Sequence, residues 1–201
     1  MKASAQNKLV SLESLASISR GYSFRSRIEP NATGDISLVQ LRNIQSDGTL
    51  NMSEVVSASL DKVKSDYWLK PQDIVFCSRG ASMPAALVPD NIGRAIAAAP
   101  VLRIRPKRKV VNPEYLVWFL NHPSLGQRHL LSIQSGSSMQ MVNQRGLSEI
   151  TITLPSLVVQ AKIAALSTLH RQESKLLMQL QEKRSRYMDA VLMKCMQGEL
   201  S

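Results

Sequence analysis

Residues 157–196 read LVVQAKIAALSTLHRQESKLLMQLQEKRSRYMDAVLMKCM, and this stretch decides the fold because it contains neither Gly nor Pro. Its apolar side chains recur at steps of three and four residues, at Ile163, Leu166, Leu169, Leu176, Leu177, Leu180, Tyr187, Val191 and Cys195. This spacing predicts one amphipathic helix, about 60 Å long at about 1.5 Å per residue. Such a helix outreaches a domain of about 150 residues, so we expect another helix to cover part of the apolar stripe.

Two charged residues, Glu173 and Arg184, interrupt the apolar stripe. They either set the register of a helix pair or mark where the seam changes face. We expect a second copy to pair antiparallel, with a two-fold axis near residues 176–180 and each Glu173 close to the other copy's Arg184. The alternative is a helix that folds back on its own domain. The residues assigned to the pairing surface are Leu166, Leu169, Glu173, Leu176, Leu180, Arg184, Tyr187 and Val191.

The chain before the helix is punctuated by Gly, Pro, Asn and Ser, which predicts a domain at residues 1–155 and an assembly helix at residues 156–201. Short segments rich in β-branched residues predict a mostly antiparallel or mixed sheet. The predicted strands are residues 36–41, 55–57, 73–77, 85–88, 101–105 and 150–154. The predicted fold class is therefore α+β: a mixed α/β domain followed by a long C-terminal coiled-coil helix.

Shorter helices are also predicted within this domain. Asn112 followed by Pro113 is a typical cap and first turn, and this helix should end before Pro123. A second helix is expected at residues 124–133. Residues 10–19 are compatible with a short helix or with a strand that leads into one.

Composition narrows the classes of function. The 201 residues carry a formal charge of +10, with 18 basic and 11 acidic side chains in residues 1–156, which indicates an anionic partner such as nucleic acid or an acidic membrane surface. No apolar run approaches the roughly 20 residues of a membrane span, and the polar start does not resemble a secretory signal. Two distant cysteines, Cys77 and Cys195, indicate reduced thiols and a cytoplasmic protein.

The residue pattern does not predict an enzyme. The three histidines have no acidic or cysteine residue at metal-ligand spacing, so no metal site is expected. Neither a nucleophile elbow nor a glycine-rich nucleotide loop is present. We therefore expect no catalytic residue and no cofactor in this chain.

Several basic residues lie in turn-like segments, where their side chains could contact the phosphates and bases of a nucleic acid. Residues 20–27 combine three arginines with Tyr22 and Phe24, which suits a loop that contacts phosphates and bases, although a charged surface loop is the alternative. Residues 77–82 place Arg79 and small residues after a predicted strand. Residues 134–146 are rich in amides and hydroxyls, the groups that bind base edges. Lys107–Lys109 is a tighter basic cluster that reads equally well as a solvated turn.

A series of motifs follows along the chain in a characteristic order. An N-terminal helix leads into a Gly-containing loop at residues 12–21, followed by Gly34-Asp35-Ile36 through Leu41-Arg42-Asn43-Ile44. The next motifs are residues 69–80 (LKPQDIVFCSRG), Pro113-Glu114-Tyr115-Leu116 and Ser135-Gly136-Ser137. The last is the junction with Leu147, Ile150, Ile152, Leu154, Pro155, Leu157, Gln160 and Ile163. The set spans nearly the whole chain, and its order resembles that of the specificity subunits of type I restriction-modification enzymes.

The resemblance has two departures. Full subunits of the family carry two target recognition domains and two long helices, so this chain resembles a half-size form with one of each. Ser156, Val158 and Val159 also replace the usual second proline and acidic residues after Pro155, which makes the junction more apolar.

The resemblance implies a non-catalytic subunit that binds double-stranded DNA and directs methyltransferase and restriction (nuclease) subunits to a bipartite site. For a paired half-size form, that site is expected to be palindromic in outline. The candidate DNA-binding residues are Arg20, Tyr22, Arg25, Arg27, Arg42, Asn43, Arg79, Ser82, Ser137, Ser138, Gln140, Asn143, Gln144 and Arg145. The alternative is a truncated regulatory or assembly protein that binds methyltransferase subunits through its helix without selecting DNA.

Overall fold

The computed structural model describes residues 8–24, 34–60, 62–134 and 141–198, and it divides the chain into two units, Met1–Ala164 and Ala165–Ser201. The strands are β1 (Lys8–Ser11), β2 (Ala16–Arg20), β3 (Ile36–Val39), β4 (Val56–Ala58), β5 (Ile74–Phe76), β6 (Ala85–Leu87), β7 (Ala95–Ala97), β8 (Leu102–Pro106) and β9 (Thr151–Leu154). The α-helices are α1 (Leu12–Leu15), α2 (Pro113–Asn121), α3 (Arg128–Ser132), α4 (Gln144–Glu149) and α5 (Leu157–Met196). This confirms the α+β class with a long C-terminal helix. The domain boundary after residue 155 stays a prediction.

The strands form three small sheets instead of one. Their orders are β2-β8-β5-β6, β4-β3-β7 and β1-β9, and all pairs are antiparallel except β3 with β7. The mixed character agrees with the prediction. Division into several sheets allows this short-stranded domain to bury both faces of its central strand.

The core is layered around β5. Ile74 and Phe76 point into an apolar cluster with α1, α2 and Ile152 of β9, whereas Val75 faces a second cluster with Val39 and other residues near β3 and β7. Side chains alternate across a strand, so full burial of all three residues means that both faces of β5 are covered. This explains why the segment reads as a continuous apolar run.

The N-terminal cap of α2 is the one that the sequence predicts. The Asn112 side chain accepts a hydrogen bond from the Tyr115 backbone N–H at 3.0 Å, and Pro113 occupies the first helical position. Beyond α2, residues 123–127 form a π-helical turn that leads into α3. The helix predicted at residues 124–133 is therefore present as two short pieces.

Three elements were not predicted: β2, β7 and α4. Residues 10–19 were interpreted as a short helix or as a strand that leads into one, whereas the structure has β1, the short helix α1 and then β2. The alanine-rich β7 has weak intrinsic β propensity, and its pairing with β3 supplies what the local sequence lacks. After β2, Gly21 lies close to the backbone of β7, because a Cβ at this position would be 2.7 Å from the Ala97 carbonyl oxygen. Gly21 thus allows the end of β2 to lie against the neighbouring sheet.

The second unit consists of α5 beyond Ala164. The apolar residues assigned to its stripe, Leu166, Leu169, Leu176, Leu180 and Tyr187, are between 54% and 71% exposed in the single chain. Among the described residues, no helix combines the length and apolar character needed to cross a bilayer.

Candidate nucleic-acid interface

Two strand ends meet at one edge of the four-stranded sheet. Both β2 and β5 pair antiparallel with β8, and Arg20, Leu102 and Phe76 lie in one row across the three strands. With strands about 4.8 Å apart, the Cα atoms of Arg20 and Phe76 are separated by about 10 Å. Arg20 and the turn that follows β5 therefore leave the sheet at the same edge, which we call the DNA edge.

A third strand end reaches the DNA edge from the neighbouring sheet. Strands β3 and β7 run parallel, and the Ala98 N–H donates to the Val39 carbonyl at 2.8 Å. Arg42 follows Val39 by three residues, and Ala98 leads through Pro100 into β8. Arg42 therefore lies at the same end of the strands as Arg20 and Arg79.

The segment at residues 141–144 crosses the DNA edge. Met141 forms an antiparallel bridge with Arg79, and the Val142 N–H donates to the Ser78 carbonyl at 3.0 Å. The Gln144 amide donates to the Ile18 carbonyl at 2.8 Å. Two candidate segments that are 60 residues apart in the sequence are thus held against each other.

A cleft of about 260 Å³ opens between these segments. Its lining includes Arg20, Ser23, Ser78, Pro100, Asn143 and Gln144. Ser23 and Pro100 were not among the predicted site residues. Ser23 lies inside the arginine-rich segment at residues 20–27 that the sequence indicated, whereas Pro100 belongs to no motif. Ser78 could have been found from its position directly before Arg79.

Three arginines at the DNA edge are uncommitted. Arg20, Arg42 and Arg79 are exposed, and their guanidinium groups have no hydrogen-bond or ion-pair partner among the described residues. A guanidinium without a partner can bind phosphate or a guanine edge without first breaking an internal contact.

Other arginines are bound within the protein. Arg105 makes two hydrogen bonds of 2.7 Å to the Asp73 carboxylate, which raise its pKa. Arg103 is buried and donates to the backbone carbonyls of Asp66 and Trp68, and burial lowers its pKa. These two residues of β8 stabilise the segment at residues 66–68 and are not available to DNA.

Arg145 is intermediate between the two groups. It pairs with Glu149 at 2.9 Å on the surface of α4, and the hydrogen bond and charge of Glu149 raise its pKa. Both side chains are largely exposed, so the pair adds little to stability and Arg145 can exchange this partner for a phosphate.

Three further candidates make contacts inside the protein. Asn43 is 1% exposed, and its side-chain oxygen accepts from the Gln40 N–H at 2.8 Å. Tyr22 is half-buried, with its ring 4.9 Å from Phe24 and 5.1 Å from Tyr67. Asn143 is exposed and caps α4 by accepting from the Gly146 N–H at 2.8 Å. Their roles in DNA binding stay predictions.

The remaining candidates differ in what can be said of them. Ser82 is exposed in the turn that follows Arg79. The others, Arg25, Arg27, Ser137, Ser138 and Gln140, lie outside the described residues.

The Lys107–Lys109 turn lies at the opposite end of β8 from the DNA edge. Four residue steps from Leu102 to Pro106 separate the two ends by about 13 Å. The Arg108 guanidinium is exposed and donates to the Gln72 side chain at 3.3 Å. This cluster is therefore well placed as an internal control and poorly placed to share one DNA surface with Arg20.

In the part of the chain that the structure describes, no group of three His, Cys, Asp or Glu side chains could hold a metal ion. Another cavity, of about 430 Å³, includes Asp90 and Glu114 in its lining, and neither of these residues borders the 260 Å³ cleft. Its carboxylates would repel a phosphate. The arrangement at the DNA edge thus offers binding groups for an anionic polymer.

Solved structures share this fold. The chain matches the HsdS subunit from Thermoanaerobacter tengcongensis with a TM-score of 0.64 and 17% identity, covering 92% of this chain and 46% of that one. It matches a type I restriction-modification S subunit from M. genitalium with a TM-score of 0.58 and 14% identity, covering 96% and 47%. A third match, from a structural study of complex assembly and conformational transition of the type I R-M system, has a TM-score of 0.64 and 18% identity, covering 92% and 48%.

The chain spans about half the length of these solved proteins. A comparison with curated protein sequences gives no significant match. The family model described as type I restriction modification DNA specificity domain matches residues 6–183, which is most of the chain. The protein therefore belongs to the family of type I restriction-modification DNA specificity domains.

Proposed function

We propose that this chain recognises a DNA sequence on behalf of a type I restriction-modification system and contains no catalytic centre of its own. The observation that supports this most directly is the set of three uncommitted arginines, Arg20, Arg42 and Arg79, at strand ends on one edge of the domain. Strand ends and turns project side chains away from a rigid sheet, which is what a groove-reading surface requires.

Two kinds of DNA contact are proposed at this edge, one with the phosphate backbone and one with the bases. The excess of basic residues in residues 1–156 would attract the phosphate backbone and release counterions. Arg79, on an exposed turn, is the best placed to make a bidentate contact with guanine, and Arg42 is the second candidate.

The exposed stripe of α5 would be covered by a second copy in an antiparallel pair. If Glu173 faces Arg184 of the second copy, the same register places Leu177 against Leu180 and Leu166 against Val191. The register thus opposes several apolar residues of the stripe, and it places Leu176 against Gln181. The partly buried Glu173–Arg184 pair favours this register even if it adds little stability. Two recognition domains related by a two-fold axis would read two inverted half-sites, which is a palindromic, bipartite target.

In this role the chain would work in the cytoplasm, together with methyltransferase and nuclease subunits that supply the chemistry. The competing function is an assembly or regulatory protein that binds methyltransferase subunits through α5 without selecting DNA. DNA binding separates the two, because the competing function requires no sequence preference.

The decisive experiment measures binding to a library of duplexes across 50–200 mM salt. If about five phosphates are neutralised, log K should fall with log salt at a slope of about −4 to −5. Arg42→Ala and Arg79→Ala should each cost about 1–3 kcal/mol on the preferred sequence and relax the preference at one position. Arg108→Ala is the matched control and should change neither. A flat salt response would refute the proposal, as would unchanged affinity and preference in both variants.

A further inference from the structure

The cleft at the DNA edge has the chemistry of a site for one anionic group. It is bordered by Arg20, whose guanidinium has no partner among the described residues, and by the exposed Ser23. None of the described side chains that line it is acidic. Its volume of about 260 Å³ is below the roughly 300–1,000 Å³ of typical small-molecule sites, so a small group fits better than a cofactor.

Hydrogen bonds within the protein hold the walls of the cleft and leave the Asn143 NH₂ group available to donate. The Ser78 hydroxyl donates to the Pro100 carbonyl at 2.6 Å, and the Gln144 amide donates to the Ile18 carbonyl at 2.8 Å. The oxygen of Asn143 is occupied by the Gly146 N–H at 2.8 Å, so its NH₂ group is the part left to donate. Fixed walls of this kind present donors with little loss of side-chain entropy on binding.

We propose that this cleft binds a single phosphate of the DNA backbone, with Arg20 as the charged ligand and Ser23 and Asn143 as neutral donors. The inference rests on the proposed function, since it specifies what one part of the DNA edge contacts. Arg20 borders the cleft, whereas Arg79 lies outside its lining on the adjoining turn. Arg20 therefore positions the duplex, and Arg79 is left to read a base.

A phosphate contact and a base contact leave different signatures. Loss of one phosphate contact removes about 0.9 from the magnitude of the salt slope and weakens all sequences alike. Between 50 and 200 mM salt, that difference in slope corresponds to an about 3.5-fold change in relative affinity. Loss of a base contact instead changes the preference at one position.

The test compares the full chain with Arg20→Ala and with Arg108→Ala, whose guanidinium lies at the other end of β8. Arg20→Ala should give a slope shallower by about 0.9 with an unchanged base preference, and Arg108→Ala should retain the original slope. Arg20 is exposed, so matching circular dichroism and melting curves are expected and show that the fold is kept.

Several results would overturn the assignment. An unchanged slope in Arg20→Ala, an equal change in Arg108→Ala, or a lost preference at one base position each contradicts a phosphate contact. Inorganic phosphate is a second probe. Saturable binding that depends on Arg20, with an unchanged DNA slope, would assign the cleft to a free anion. Failure of the unaltered protein to bind DNA would refute the proposed function itself, and this outcome differs from failure of the variant alone.

Discussion

Replacement of Leu176 and Leu180 by glutamate should convert a dimer into a monomer. These leucines are 64% and 54% exposed in the single chain, and both lie near the middle of the α5 stripe. Complete burial of a leucine side chain stabilises by about 1.5–3 kcal/mol relative to full exposure, so each of these leucines would gain about 1–2 kcal/mol in a helix pair. A two-fold dimer contains four such side chains, and their loss costs about 4–8 kcal/mol.

That cost is sufficient to dissociate a micromolar dimer. A loss of about 4 kcal/mol raises a Kd of about 1 μM to about 1 mM, so the double variant should be monomeric throughout the micromolar range. Light scattering should give twice 22.3 kDa for the unaltered chain and 22.3 kDa for the variant. Gln179→Glu with Ser185→Glu is the control, because it adds the same charge at exposed positions that this register does not place against a residue of the stripe.

Light scattering also tests the register that places Glu173 against Arg184 of the second copy. Glu173→Arg should weaken the antiparallel pair through repulsion from Arg184 of the second copy, and Arg184→Glu in the same chain should restore it. A stable monomer of the unaltered protein at tens of micromolar would refute the second copy as the occupant of the stripe. It would leave a helix of a different subunit as the alternative. Equal dissociation of the Gln179 and Ser185 control would show that added charge, and not loss of apolar contact, is responsible.

Two further predictions concern stability. Gln160 is 1% exposed, and its side chain accepts from the Asn112 N–H and donates to the Pro155 carbonyl, both at 2.8 Å. Gln160→Met removes both hydrogen bonds and should therefore lower the free energy of unfolding by about 2–5 kcal/mol, as measured by urea titration. Gln181→Met, at an exposed position, is its control, and equal effects of the two would contradict the buried-amide argument. Burial raises the pKa of Tyr115 to about 12, so its neutral form contributes stability that is complete below about pH 10 and is lost as the pH rises through 12. Tyr115→Phe should therefore reduce the alkaline loss by about 2–3 kcal/mol, and identical pH profiles would refute this.

The long helix and the cap of α2 were predictable because their determinants are local. Helix periodicity and the absence of Gly and Pro act within a few residues, and the predicted helix at residues 157–196 is observed with those bounds. Asn112 and Pro113 likewise act on the turn that they begin. Strand β5 was also visible, at residues 74–76 of the predicted 73–77, because an apolar run between turn residues indicates a buried strand.

Strand β7 and helix α4 were missed for different reasons. The alanines of β7 pair with β3, which lies about 60 residues away, and no pattern within β7 reveals that partner. The amide-rich segment that leads into α4 was interpreted as a base-contacting loop. Asn143 caps a six-residue helix there, which is another use of a short polar side chain, and its role in DNA binding stays a prediction.

The sequence by itself determined that this is a basic α+β protein with one long amphipathic helix, and its motifs determined the family. Only the tertiary structure decided which arginines are free. Arg94 forms an ion pair with Asp35, which is 59 residues away in the sequence, and Arg105 forms one with Asp73, which is 32 residues away. Arg20, Arg42 and Arg79 have no such partner among the described residues. The charge and type of a residue are read from the sequence. Whether an arginine side chain is hydrogen-bonded within the protein depends on which distant residues the fold brings within hydrogen-bond distance.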